Sequence, residues 1–123
     1  MQLRIARHTA QLETLVAFYR DGIGLPEVGR FSGHAGYDGV FLDIPGSRAH
    51  LELTAGEGHP PTPPHPEALL VLYLGDEVTL ALVAARLDAP TIKPVNPYWQ
   101  SVATTYADPD GHAVVLVPTA WAA

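Results

Sequence analysis

Tyr106-Ala107-Asp108-Pro109-Asp110-Gly111 has the makings of a β-hairpin. Proline presets φ for the turn, and the closing glycine accepts a left-handed backbone that other residues resist. Residues 102–107 before the turn and 112–117 after it carry the strands. A turn of the same kind, Asp43-Ile44-Pro45-Gly46, stands earlier at an offset of 65 residues (43 to 108). The same offset carries Gln11, at the start of one apolar-periodic helix, onto Asp76, at the start of another. A repeat of this period is the signature of one structural unit written twice.

Working outward, residues 3–9 alternate as a strand, with Arg4, Ala6 and His8 on one face and Leu3, Ile5 and Arg7 on the other. A helix over 10–21 follows, its stripe made by Leu12, Leu15, Val16, Tyr19 and Ile23, and Gly22 and Gly24 supply its stop. Strands are predicted at 26–31 and 39–43, joined by a loop over 32–38 that carries His34. In the strand at 49–54, Leu51 and Leu53 point one way and His50, Glu52 and Thr54 the other. Residues 55–66 then hold five of the twelve prolines, two glycines and the histidines His59 and His65. Such a stretch neither extends a sheet nor starts a helix, and reads as a stiff, solvated connector. Beyond it the plan returns: a strand at 69–74, a helix at 77–87 capped by Asp76 and stopped at Pro90, a short strand at 91–95, a loop over 96–100 and the closing hairpin. The expected organisation is module one at 1–54, a connector at 55–67 and module two at 68–123 within a single domain. The fold class is α+β, two βαβββ modules. Each four-stranded unit with one helix leaves a sheet face bare, so the two are expected to curl into an incomplete barrel around a cleft.

Composition narrows the function. Seven Lys+Arg against thirteen Asp+Glu give a net charge of -6, with a single lysine, Lys93; nucleic-acid binding needs clustered cations and is not expected. The absence of cysteine removes disulfides, thiolate metal sites and cysteine nucleophiles. No apolar run approaches a membrane span, and residues 1–7 do not read as a signal peptide, so a cytoplasmic protein with no membrane partner is expected. Gly-x-Gly-x-x-Gly, Walker and Gly-x-Ser-x-Gly motifs are missing. Asp108-x-Asp110-Gly111 lacks the downstream carboxylate of a calcium loop and serves the turn.

The βαβββ–βαβββ layout, Phe18-Tyr19-Arg20-Asp21-Gly22-Ile23-Gly24-Leu25, His50-Leu51-Glu52-Leu53-Thr54 and Tyr106-Ala107-Asp108-Pro109-Asp110-Gly111 together resemble the vicinal oxygen chelate superfamily, which includes glyoxalase I, the bleomycin-resistance proteins and extradiol dioxygenases. The resemblance covers nearly the whole chain. It implies a glyoxalase-like fold, a small-molecule ligand, and pairing into homodimers. Metal-dependent members place a His or Glu on the first and last strand of each module. Here those positions fall on Arg4, Glu52, Leu69 and Val115, of which only Glu52 is a metal donor.

No cofactor is therefore expected, and Arg4 and Glu52 are expected to form an ion pair where the metal would sit. The expected ligand-binding set is Arg4 and Glu52 at the base, Tyr73, Val115 and Val117 as an apolar wall, and His34, His50, Tyr98 and Trp99 at the rim. No catalytic residue is assigned; Glu52 and His50 are the best placed to move a proton. The favoured reading is a small-molecule binder similar to the bleomycin-resistance proteins. The alternative is a divalent-metal lyase or dioxygenase with ligands relocated to Glu52, His50 and His34.

Overall fold

A computed structural model describes residues 1–122, and the chain divides into two compact units, Met1–Thr62 and Pro63 onward. The architecture is α+β in two modules.

In the first unit, β1 (Leu3–His8) leads into α1 (Leu12–Val16), which runs on as a π-helical segment (Ala17–Ile23). Strands β2 (Glu27–His34), β3 (Tyr37–Asp43) and β4 (Ala49–Ala55) complete a sheet of order β1-β4-β3-β2, with β1 parallel to β4 and the remaining pairs antiparallel. The helical stripe read from the sequence is the buried one: Leu15, Val16, Tyr19 and Ile23 are buried, as are Val40, Leu42, Leu51 and Leu53 of the sheet. Burying each such side chain contributes on the order of 1.5–3 kcal/mol. The helix ends where Gly24 turns left-handed (φ 96°), and the N–H groups of Gly24 and Leu25 both donate to the Tyr19 carbonyl at 3.1 and 2.9 Å. That closure spans more residues than an ordinary α-helical end, as π-winding requires.

The loop expected over 32–38 is much shorter in the structure. β2 continues to His34, which pairs with Tyr37, and Ala35-Gly36 alone make the turn, both at positive φ (52° and 87°). Two positive-φ residues form the tight hairpin turn whose twist matches the strands. Gly33 (φ 64°) absorbs a register shift, and Asp38 Oδ1 accepts from Ser32 Oγ at 3.1 Å and Gly33 N–H at 2.8 Å. The start of the connector is fastened rather than free. The His59 carbonyl accepts a hydrogen bond from His8 Nε2, and the His59 ring stacks on Tyr37 with centroids 4.8 Å apart.

The second unit holds β5 (Leu69–Tyr73), α2 (Glu77–Leu87), α3 (Tyr98–Val102), β6 (Thr104–Ala107) and β7 (Ala113–Val117), and its strands form a three-stranded sheet of order β5-β7-β6. β5 lies parallel to β7, and β6 antiparallel to it. Asp76 caps α2 as expected, accepting from the Thr79 N–H at 2.7 Å, while α1 has no side-chain cap at Gln11. The Asp-Pro-Asp-Gly turn is closed by its own first carboxylate: Asp108 Oδ1 accepts from the N–H groups of Asp110 and His112 at 2.9 and 3.0 Å.

One element departs from the duplicated plan. The strand expected at 91–95 is reduced to a single bridge, Thr91 to Tyr106, with Ile92 N–H donating to the Thr105 carbonyl at 2.8 Å. In that register Pro94 falls opposite Ala103 (91 + 106 = 94 + 103), where the ladder next needs an N–H that proline lacks. The segment expected as a loop at 96–100 instead forms α3, opened by Asn96 Oδ1 accepting from the Tyr98 N–H at 3.1 Å.

Candidate functional site

Alternation along β1, β3 and β4 divides the first sheet into two faces. Ile5, Val40, Leu42, Leu51 and Leu53 share the face with the helix side chains. The register places Arg4, Phe41, His50 and Glu52 on the other: Arg4 lies beside His50, and Phe41 opposite Glu52. There Arg4 Nε–H donates to His50 Nε2 at 2.7 Å, and the guanidinium carbon sits 4.7 Å from the centroid of the Phe41 ring. An Arg4 terminal nitrogen stands 4.0 Å from Glu52 Oε2. The carboxylate is the more sheltered partner, its side chain 16% exposed against 52% for Arg4. Arg4 and Glu52 are thus neighbours, but the short hydrogen bond of Arg4 goes to His50.

That bond has a chemical consequence. A guanidinium only donates, so His50 Nε2 must hold its lone pair toward Arg4, which leaves the ring neutral with its proton on Nδ1. Stacking on Phe41 and the Nε–H bond fix the plane of the guanidinium while leaving its terminal N–H groups for another acceptor.

Of the remaining expected residues in this unit, His34 sits at the hairpin end of β2, exposed, with its ring 6.2 Å from Phe31. Phe31 in turn lies 5.7 Å from Phe41 and covers Gly39 so closely that a Cβ there would meet the ring at 2.2 Å. Phe41 and Phe31 were not singled out from the sequence. The signal for Phe41 was alternation, since it shares parity with Gly39 and Asp43 and faces Glu52 across the strands. In the second unit, Tyr73 and Val115 lie on one sheet face, Tyr73 at its exposed end and Val115 fully buried. Tyr98 and Trp99 sit on α3 in edge-to-face contact at 5.0 Å, Tyr98 exposed.

Two other arginines serve the helix side of the first sheet. Arg20 pairs with Asp21 and Glu27 at 3.0 and 2.9 Å, and Arg30 pairs with Glu27 and Glu13. The neighbouring Glu27 and Glu13 carboxylates raise the Arg30 pKa above its ordinary value.

The donor chemistry at the four positions that the family resemblance assigns to metal ligands does not fit a divalent ion. A permanent cation, one carboxylate and two hydrocarbon side chains (Arg4, Glu52, Leu69, Val115) offer a single oxygen donor. Among the described residues no three His, Asp or Glu side chains are grouped as a metal site requires.

Comparison with known proteins places this geometry in context. Residues 3–54 match the YycE-like N-terminal domain and residues 67–118 the YycE-like C-terminal domain. The YycE protein of Bacillus subtilis (strain 168) is 42% identical over 120 residues, covering 94% of this chain and 86% of the relative. The crystal structure of a B. subtilis YycE protein, of unknown function and considered a candidate glyoxalase/fosfomycin resistance protein, superposes with a TM-score of 0.91 at 39% identity, covering 99% and 92% of the two chains. The fold is shared more distantly with glyoxalase I of Leishmania major (TM-score 0.71, 22% identity, 97% and 86% covered). It is also shared with an antibiotic binding protein from Streptomyces sp. CB03234 (TM-score 0.68, 20% identity, 98% and 96% covered). The chain belongs to the YycE-like family, within the vicinal oxygen chelate superfamily.

Proposed function

We propose that this protein binds a small molecule without the catalytic metal of its metal-dependent relatives, and that the Arg4–His50–Glu52 group on the first sheet contacts the ligand. The observation that carries the reading is Arg4 itself. It stands where the family resemblance implies a metal ligand, is oriented by His50 and Phe41, and keeps terminal N–H groups free of short hydrogen bonds beside a sheltered carboxylate. A fixed donor array next to an acceptor and an aromatic surface orients a ligand of mixed polarity. Sequestration has a precedent in this fold, an antibiotic binding protein. We further propose a cytoplasmic homodimer. No helix among the described residues is long and apolar enough to cross a membrane, and exposed Val78, Leu82 and Trp121 are apolar surface that a second copy could cover.

The test begins with metal analysis of the purified protein and titration with Ni, Zn, Mn and Fe(II). Stoichiometric binding abolished by Glu52→Ala would replace this reading with a metal-dependent one. A thermal-shift screen of antibiotics and aromatic metabolites then looks for stabilising ligands. A hit whose stabilisation survives both Arg4→Ala and Glu52→Gln would remove the Arg4 group from the site.

A further inference from the structure

On the sheet face away from the helix, Arg4 and Glu52 come close without bonding. The nearest guanidinium nitrogen and Glu52 Oε2 stand 4.0 Å apart, whereas a charge-assisted hydrogen bond needs roughly 2.7–2.9 Å. Arg4 is held where it is by its Nε–H bond to His50 Nε2 at 2.7 Å and by the Phe41 ring. Among the described residues no hydrogen bond reaches the Glu52 carboxylate, and neither of its oxygens is sealed from solvent. The approach is open from β1, where Ala6 lies beside Glu52 in the register, is exposed and carries only a methyl group.

Each of the two groups has a single role. A guanidinium only donates, and an ionised carboxylate only accepts. Together they present a fixed donor next to an acceptor, on a patch where the two charges cancel. A lone phosphate or carboxylate would bond to Arg4 and be repelled by Glu52, and a lone ammonium would meet the reverse. A neutral group with an acceptor beside a donor satisfies both side chains. An amide carries that pair on atoms roughly 2.2 Å apart, so bonds from Arg4 and Glu52 can converge on it. An open-chain peptide does not offer the pair, because in the trans form N–H and C=O point to opposite sides. Ring closure turns them to the same side. Phe31, half-buried and 5.7 Å from Phe41, adds aromatic surface for the ring itself.

We infer that the ligand of this site is a cyclic cis-amide, a lactam or imide ring, whose C=O accepts from Arg4 and whose N–H donates to Glu52. This rests on the binding role proposed above for the Arg4 group and adds the chemical class of the ligand.

The test titrates the full chain with 2-pyridone, N-methyl-2-pyridone and glycine, followed by ¹H–¹⁵N NMR. Saturable shifts at residues 4–6, 41 and 50–52 with 2-pyridone support the inference when N-methylation, which removes only the N–H, weakens binding about tenfold or more. Arg4→Gln and Glu52→Gln should each weaken 2-pyridone by a similar factor. The ligand comparison uses the wild type, so it stands even if a variant fails to fold. The inference is overturned if 2-pyridone gives no saturable shifts in these segments or if its N-methyl derivative binds equally well. It is overturned equally if glycine, which offers opposite charges instead of an amide edge, saturates at lower concentration. A screening hit that depends on Arg4 and Glu52 but has no cis N–H and C=O would strike the cis-amide class alone. A hit insensitive to both residues would strike the binding role beneath it as well.

Discussion

The two modules repeat one plan and finish it with different side chains. In the first sheet, the face away from the helix carries Arg4, His50 and Glu52, held by one another and by Phe41. In the second, the corresponding face carries Val71, Val115 and Val117, and every residue of β7 is buried. Charge is affordable in module one because each group has a partner and Arg4 keeps half its surface in solvent. Val115 has neither. The prolines differ in the same instructive way. Pro26 stands just before β2, where only its carbonyl is needed, accepting from the Asp43 N–H at 2.8 Å. Pro94 stands where a donor is needed, and the fourth strand ends there. A duplicated pattern therefore preserves elements while position-specific chemistry decides which of them complete.

The largest expected effect breaks this contrast directly. Val115→Glu, which restores a metal-donor residue type, should destabilise the protein by roughly 3–5 kcal/mol through an unpaired buried charge. Arg4→Leu on the module-one face should cost less than about 1 kcal/mol. Urea denaturation measures both, and similar midpoints for the two variants would erase the distinction between the faces.

Next in size is Gly39→Ala. Its Cβ would meet the Phe31 ring at 2.2 Å, an overpacking worth about 1–3 kcal/mol. Adding Phe31→Ala should return part of the loss, and a strictly additive double-mutant cycle would show the contact to be unimportant. Pro94→Val should come out near zero in stability. A new ladder bond of about 0.5–1.5 kcal/mol is offset by the greater freedom of the unfolded chain, about 0.4–1 kcal/mol. Its readout is hydrogen exchange: a protected amide at position 94 supports the missing-donor explanation, and rapid exchange there rejects it.

A further contrast lies between the helix starts. Hydrogen bonds from Thr79, its backbone N–H foremost, hold the Asp76 carboxyl below the ordinary carboxylate range. A depressed folded-state pKa stabilises the protein above the unfolded value, and the contribution is lost as pH falls through the folded value. Asp76→Ala should therefore lower the Tm at neutral pH, with the gap to wild type closing in acid. Gln11→Asp should add a cap that α1 lacks and raise the Tm modestly. A gap for Asp76→Ala that persists unchanged at low pH would assign the loss to helix propensity or packing instead.

Much of this architecture was readable residue by residue. The helix at 77–87 was anticipated to the residue, because Asp76 and Pro90 bracket it with local signals. The buried stripe of the first helix and the two faces of β4 followed from periodicity alone. Less legible was the hairpin after β2: glycines at 33 and 36 suggested a long loop, whereas Ala35 joins Gly36 at positive φ and frees the flanks to pair. His59 looked like linker because sequence cannot reveal that Tyr37 and His8 lie within reach of it.

The candidate site was legible to a similar depth. Parity along β1 and β4 put Arg4, His50 and Glu52 on one face, since side-chain direction in a strand has a strict period of two. Which of them bond was another matter. A separation of 46 residues lies between Arg4 and His50, and the preference of Nε–H for the imidazole over the carboxylate depends on strand register and on the position of Phe41. Composition, turn chemistry and repeat length, all local or additive properties, thus established the α+β duplication and the chemical character of each face. The partners within those faces and the lost strand at Pro94 arise from long-range pairing, and distances between remote residues are set only when the chain has folded.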